Sequence, residues 1–75
     1  MTAHALSQTE RRVLPFVREF ISRLGYAPST REIMAGCGIS STSVVRNTLR
    51  RLEQKGYLRL GPKGTARTMR MVERL

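Results

Sequence analysis

The sequence predicts a mainly α-helical domain that ends in a small β-hairpin. Apolar residues recur at steps of three and four in three successive segments, as in amphipathic helices. Each segment begins at serine and ends at glycine, the residue types that favour helix starts and stops. Beyond Gly56 the pattern changes to short alternating runs around Gly61-Pro62-Lys63-Gly64, which is strand-and-turn chemistry.

Residues 1–6 carry no pattern and read as a flexible N-terminal tail, leaving residues 7–75 as one domain. Ser7 and Glu10 have the S-x-x-E spacing of a capping box, in which each side chain satisfies an unpaired backbone N–H. Val13, Phe16, Val17, Phe20, Ile21 and Leu24 then form one stripe, closed by Gly25. Pro15 is the misfit, because it removes an amide donor and crowds the preceding turn. A kink or disturbed first turn is expected near residues 11–15. Tyr26-Ala27-Pro28 reads as a connector. Ser29 and Glu32 repeat the capping box and open a short helix with Ile33, Met34 and Cys37 inward, limited by Gly36 and Gly38. Ser40 and Ser41 are candidate caps for a third helix with Val45, Leu49 and Leu52 inward; Gly56 ends it, after Lys55 in a favourable last turn. Tyr57–Leu60 and Thr68–Val72 are the expected hairpin strands.

Composition narrows the function. Leu, Ile, Val and Phe make up 18 of the 75 residues, enough for a modest core but not for a deep substrate cavity. No apolar run approaches the roughly 20 residues of a membrane span. Met1–Ser7 lacks a signal peptide's charged start and long apolar stretch. Cys37 is the single cysteine, which excludes an internal disulfide and a structural zinc site. The net charge is +9, unevenly spread. Residues 1–39 hold five Arg against three Glu, whereas residues 40–75 hold nine Lys or Arg against two Glu. A positive field of that kind draws polyphosphate, so a cytoplasmic module with an anionic partner is expected.

Two helices joined by a glycine-containing turn match helix-turn-helix geometry, whose second helix enters a major groove. At about 100° per residue, an inner face on Val45, Leu49 and Leu52 turns Ser43, Asn47 and Arg50 outward, flanked by Arg46 and Arg51. Asparagine pairs bidentately with adenine, and arginine with guanine or phosphate. Serines at the helix start suit a phosphate oxygen. Val44 lies beside the inner stripe, and two roles stay open for it: a supporting core contact or a methyl contact with thymine. Lys63, Thr65 and Arg67 in the hairpin turn, with Arg59 and Arg70 on its strands, suit the backbone or minor groove. His4 falls in the tail and Cys37 on an inner face, so they form no dyad. Met34, Met69 and Met71 read as packing residues. No phosphate loop, carboxylate pair or nucleophile–base arrangement stands in the sequence, and neither an enzyme, a metal nor a cofactor is expected.

Residues Leu6–Leu60 resemble, without gaps, the DNA-binding domain that opens the LexA repressors. The likeness rests on Leu6-Ser7, on Gly25-Tyr26-Ala27-Pro28-Ser29-Thr30-Arg31-Glu32-Ile33 and on Gly38-Ile39-Ser40-Ser41. It continues through Val45, Leu49 and Leu52 into Glu53-Gln54-Lys55-Gly56-Tyr57-Leu58. The last stretch is common among winged helices, and the Gly-x-x-Pro-Ser-x-x-Glu-Ile segment is the more specific. The resemblance implies a winged helix-turn-helix of three helices plus a two-stranded wing. It puts the base-contacting positions on Ser41, Ser43, Val44, Arg46 and Asn47. It sets Ser29 near the backbone and matches the family's wing arginine to Arg67, in a turn one residue longer. Pro15 and Met34 depart from the family pattern.

Backbone contacts are therefore expected from Ser29, Arg31, Ser40, Arg50, Arg51, Lys63, Thr65 and Arg67. LexA proteins continue into a self-cleaving peptidase domain that also drives dimerisation, and the sequence given ends at Leu75. The resemblance thus implies a LexA-like bacterial or phage regulator without self-cleavage, or the excised domain of a longer repressor. The partner it implies is double-stranded DNA, with an inverted-repeat operator and a weak homodimer on it, and the expected location is cytoplasmic, at the nucleoid. Two other functions compete. An RNA- or ribosome-binding protein would present aromatic stacking platforms, yet two of the four aromatics, Phe16 and Phe20, fall on an inner stripe. A protein-interaction adaptor would expose an apolar patch and need no basic helix.

Overall fold

A computed structural model describes residues 6–61 and 69–72. Three helices, α1 (Gln8–Leu24), α2 (Thr30–Cys37) and α3 (Thr42–Gln54), precede a two-stranded antiparallel sheet of β1 (Leu58–Arg59) and β2 (Arg70–Met71). Leu58 pairs with Met71 and Arg59 with Arg70. This is the expected mainly helical, winged helix-turn-helix architecture. Among the described residues the paired strands are shorter than the alternating runs suggested. The turn carrying Lys63, Thr65 and Arg67 lies outside the described residues, as does His4.

Both capping boxes form. The Ser7 hydroxyl accepts from the Glu10 amide at 3.2 Å while the Glu10 carboxylate accepts from the Ser7 amide at 2.9 Å. Ser29 and Glu32 do the same at 3.2 and 2.8 Å. Helix α1 runs unbroken through Pro15, so the expected disturbance does not interrupt it. Pro15 and Arg11 both lie on the exposed side, where the carbonyl that proline leaves without an amide donor is open to solvent.

The core gathers Val13, Leu14 and Val17 of α1, Ile33 and Cys37 of α2, Val45, Leu49 and Leu52 of α3, with Ala27, Leu58 and Met69. The predicted α1 stripe is correct at its centre and fades outward. Phe16, Phe20 and Ile21 are half-buried, and Leu24, in the last turn before Gly25, is exposed. Leu6, placed in the tail by its lack of pattern, packs half-buried against the core. Gly36 has a steric reason: a Cβ there would collide with the Phe16 ring, so glycine lets α1 and α2 approach. Arg12 Nη1 donates to the Cys37 carbonyl at 3.3 Å, bringing a cation to the C-terminal end of α2. Burial raises the Cys37 thiol pKa, opposed by the Arg12 charge.

Among the described residues, one charged residue is buried. The Glu10 residue is 1% exposed, and its carboxylate bridges α1 to the far half of α3. Its Oε2 accepts from Arg51 Nε at 2.8 Å and its Oε1 from Lys55 Nζ at 2.6 Å. Burial would raise its pKa, but hydrogen bonds from Lys55, the Ser7 backbone and Arg51 outweigh that and lower it from 4.5 to about 2. A depressed carboxylate stabilises the fold above its unfolded pKa and loses that contribution as pH falls through the folded one. Thermal melts should therefore fall from about pH 5 towards pH 2, and Glu10→Gln should flatten this loss. Gly38 holds a left-handed φ of 68° with open space around it. Gly38→Ala should cost about 1 kcal/mol in urea unfolding, from backbone conformation alone.

Candidate nucleic-acid interface

The helix pair is built by its turn. Gly38 closes α2 in the left-handed conformation, its amide donating to the Met34 carbonyl. The Ile39 amide donates to that same carbonyl at 3.0 Å. Three residues later α3 begins, capped by Ser41, whose hydroxyl accepts from the Val44 amide at 3.3 Å. One side of α3 is sealed against the core by Val45, Thr48, Leu49 and Leu52, all buried. Thr48 is polar but satisfied, its hydroxyl donating to the Val44 carbonyl at 2.6 Å.

With that side fixed, Ser43, Val44, Arg46, Asn47 and Arg50 all stand exposed on α3. Ser43, Asn47 and Arg50 match the outward face expected from helical phase. Val44 is 40% exposed, so its side chain lies on the surface and outside the buried core. Among the described residues, Arg46 and Arg50 are engaged in no ion pair, so their charge is available to an external anion. The acid nearest to them in sequence, Glu53, is occupied, accepting from the Leu60 amide at 3.1 Å.

The other predicted residues divide. Arg31 is exposed in the first turn of α2, and Ser40 is exposed in the turn that leads into α3. Ser41 and Ser29 are half-buried N-caps whose hydroxyls are already engaged with amides of their own helices. Arg51 is half committed, since Glu10 holds its Nε while its side chain keeps 47% exposure. Thr42, exposed at the first position of α3, is a hydroxyl that the sequence reading passed over. It lines a shallow groove with Arg31, Met34, Ala35 and Ile39 between the paired helices. The run Ser40-Ser41-Thr42-Ser43 was the available signal for it. Lys63, Thr65 and Arg67 lie outside the described residues.

The chain matches the LexA DNA binding domain over residues 3–68. It belongs to that family. It is 48% identical over 63 residues to LexA repressor 1 of Nocardia farcinica, covering 84% of this chain and 29% of that protein. It is 48% identical over 61 residues to the LexA repressor of Frankia casuarinae, covering 81% of this chain and 24% of that one. The LexA repressor of Carboxydothermus hydrogenoformans is 42% identical over 57 residues, with 76% and 28% covered. The chain thus spans about a quarter of the length of these LexA relatives.

The adjacent valines test the division between inner and outer faces of this LexA-type helix. Val45→Ala should lower unfolding free energy by roughly 2 kcal/mol, as for other core truncations. Val44→Ala should stay within about 0.5 kcal/mol. Urea titration of both variants measures the difference.

Proposed function

We propose that the chain binds double-stranded DNA with sequence specificity and represses transcription. The observation that carries this is the two-sided α3: its apolar stripe is sealed, and its other side offers Ser43, Val44, Arg46, Asn47 and Arg50 to solvent. Membership of the LexA DNA-binding domain family and relatives named as repressors support the same reading.

Base edges are read by Ser43, Val44, Arg46 and Asn47, with Ser41 at the helix entrance. Asn47 supplies a bidentate amide, Arg46 a fork of donors, and Val44 a methyl surface for thymine. Arg50, Arg51, Arg31, Ser40 and the capped N-terminus at Ser29 hold the flanking phosphates. Lys63, Thr65 and Arg67 of the wing extend that grip. The half-buried Ser29 and Ser41 hydroxyls already accept from amides, so their helix N-termini bind anions mainly through backbone N–H groups. Two copies on an inverted repeat would satisfy a two-fold operator, weakly paired until DNA brings them together, in the cytoplasm at the nucleoid. In this reading the chain is a binding module that turns over no substrate.

Selection from a random duplex library, followed by sequencing, should return a defined motif. Recovery of no motif, or tighter binding to structured RNA, would overturn the reading. On the recovered site, Asn47→Ala should cost ~1–3 kcal/mol and on random duplex almost nothing, whereas Arg50→Ala should weaken both alike. With ~4 to 6 phosphates neutralised, log affinity should fall against log salt with a slope of about −4 to −5.

A further inference from the structure

We propose that Glu10 is a positioning residue for DNA binding: its grip on Arg51 and Lys55 fixes the rotation of α3 and aims the Arg51 guanidinium at a backbone phosphate. The inference rests on the DNA-binding reading above and adds to it a residue remote from the recognition face in sequence.

The contacts that seat α3 are of two kinds. Val45, Leu49 and Leu52 bury apolar surface, which is strong but has no preferred direction. Such a stripe tolerates a small rotation or slide of the helix. Charge-assisted hydrogen bonds fix both length and angle, and Glu10 makes two of them to α3, across 41 and 45 positions of sequence. They join the first turn of α1 to the last turns of the recognition helix. The carboxylate is itself anchored, because its Oε1 also accepts from the Ser7 amide at 2.9 Å.

Arg51 stands one turn beyond Asn47 on the same helix. Its Nε is held by Glu10 at 2.8 Å, and its Nη2 lies 3.5 Å from the Thr48 hydroxyl. That hydroxyl donates in turn to the Val44 carbonyl at 2.6 Å. A continuous polar chain therefore runs from α1 through Arg51 and Thr48 to the backbone of the base-facing turn. The guanidinium plane is fixed from two nitrogens, and its remaining edge belongs to a side chain 47% exposed. A planar fork fixed in this way has less conformational freedom to lose when it binds a phosphate oxygen.

The sign of the effect separates positioning from simple charge. Glu10 adds a negative charge beneath a face that binds a polyanion. By field alone, its removal would tighten every duplex. By positioning, its removal weakens the preferred duplex more than a scrambled one, because the rotation of α3 governs base readout whereas the Arg51 phosphate contact serves both. The experiment measures dissociation constants of the full chain for the selected site and for a scrambled duplex of equal length. The variants are Glu10→Gln, Arg51→Lys and the pair combined. Glutamine retains the capping box at Ser7, and Arg51→Lys leaves net charge unchanged. Each single variant should lose roughly tenfold on the selected site, and the double variant little more than either, as coupled neighbours do.

Glu10→Gln binding the selected site as tightly as the parent, or losses that simply add, would overturn the proposal. If circular dichroism shows Glu10→Gln unfolded, Arg51→Lys decides it: undiminished site affinity there is equally fatal. A parent chain with no duplex preference sinks the DNA reading and this proposal together. A parent with clear preference and an unimpaired Glu10→Gln sinks this proposal alone.

Discussion

The fold turns on the seating of α3. Four of its thirteen residues, Val45, Thr48, Leu49 and Leu52, are buried together, and they lie on one side of a helix with 3.6 residues per turn. That choice decides which of the remaining residues face outward. Rotating the helix by one residue, about 100°, would carry Arg46 towards the interior, where an unpaired guanidinium is strongly disfavoured. The outward display of serine, amide and guanidinium groups is thus a consequence of core burial.

Helix boundaries and phase were legible because local chemistry determines them. The two capping boxes, the left-handed Gly25 and Gly38, and the spacing of Val45, Leu49 and Leu52 act within a few residues of chain. What escaped the sequence were particular contacts between elements distant in the chain. Ala27 reads as connector yet is buried as part of the core cluster. Leu14 lies off the regular stripe and is still buried, since α1 meets both α2 and α3. Glu10 was read correctly as a cap, but its partners lie more than forty residues away. Val44 could not be assigned by phase alone, because its position borders both faces.

The charge balance changes meaning once partners are known. The basic excess of residues 40–75 looks like a uniform field in the sequence, but α3 divides it. Arg51 and Lys55 are drawn to Glu10 on one flank. Arg46 and Arg50 stay on the outer side, and the acid nearest them in sequence, Glu53, is turned to the Leu60 amide at the start of the wing. Cations on the outer face and cations held against the protein therefore have different surroundings, although composition counts them alike.

A buried carboxylate with two cations is not the most stabilising way to fill that site. Apolar residues of similar volume often do as well or better, because charges lose hydration when buried. What apolar packing does not supply is a defined angle. In a domain this small, three helices share one thin core, and α3 is held by three aliphatic side chains and the buried Thr48. A modest rotation of α3 would change the core little, yet it would displace Asn47 and Arg46 at the tips of their side chains by more than at the axis. Hydrogen-bonded recognition weakens steeply with poor geometry, so orientation matters more to the outer face than to the core. The Glu10 bridge resists the one motion that the aliphatic stripe leaves soft.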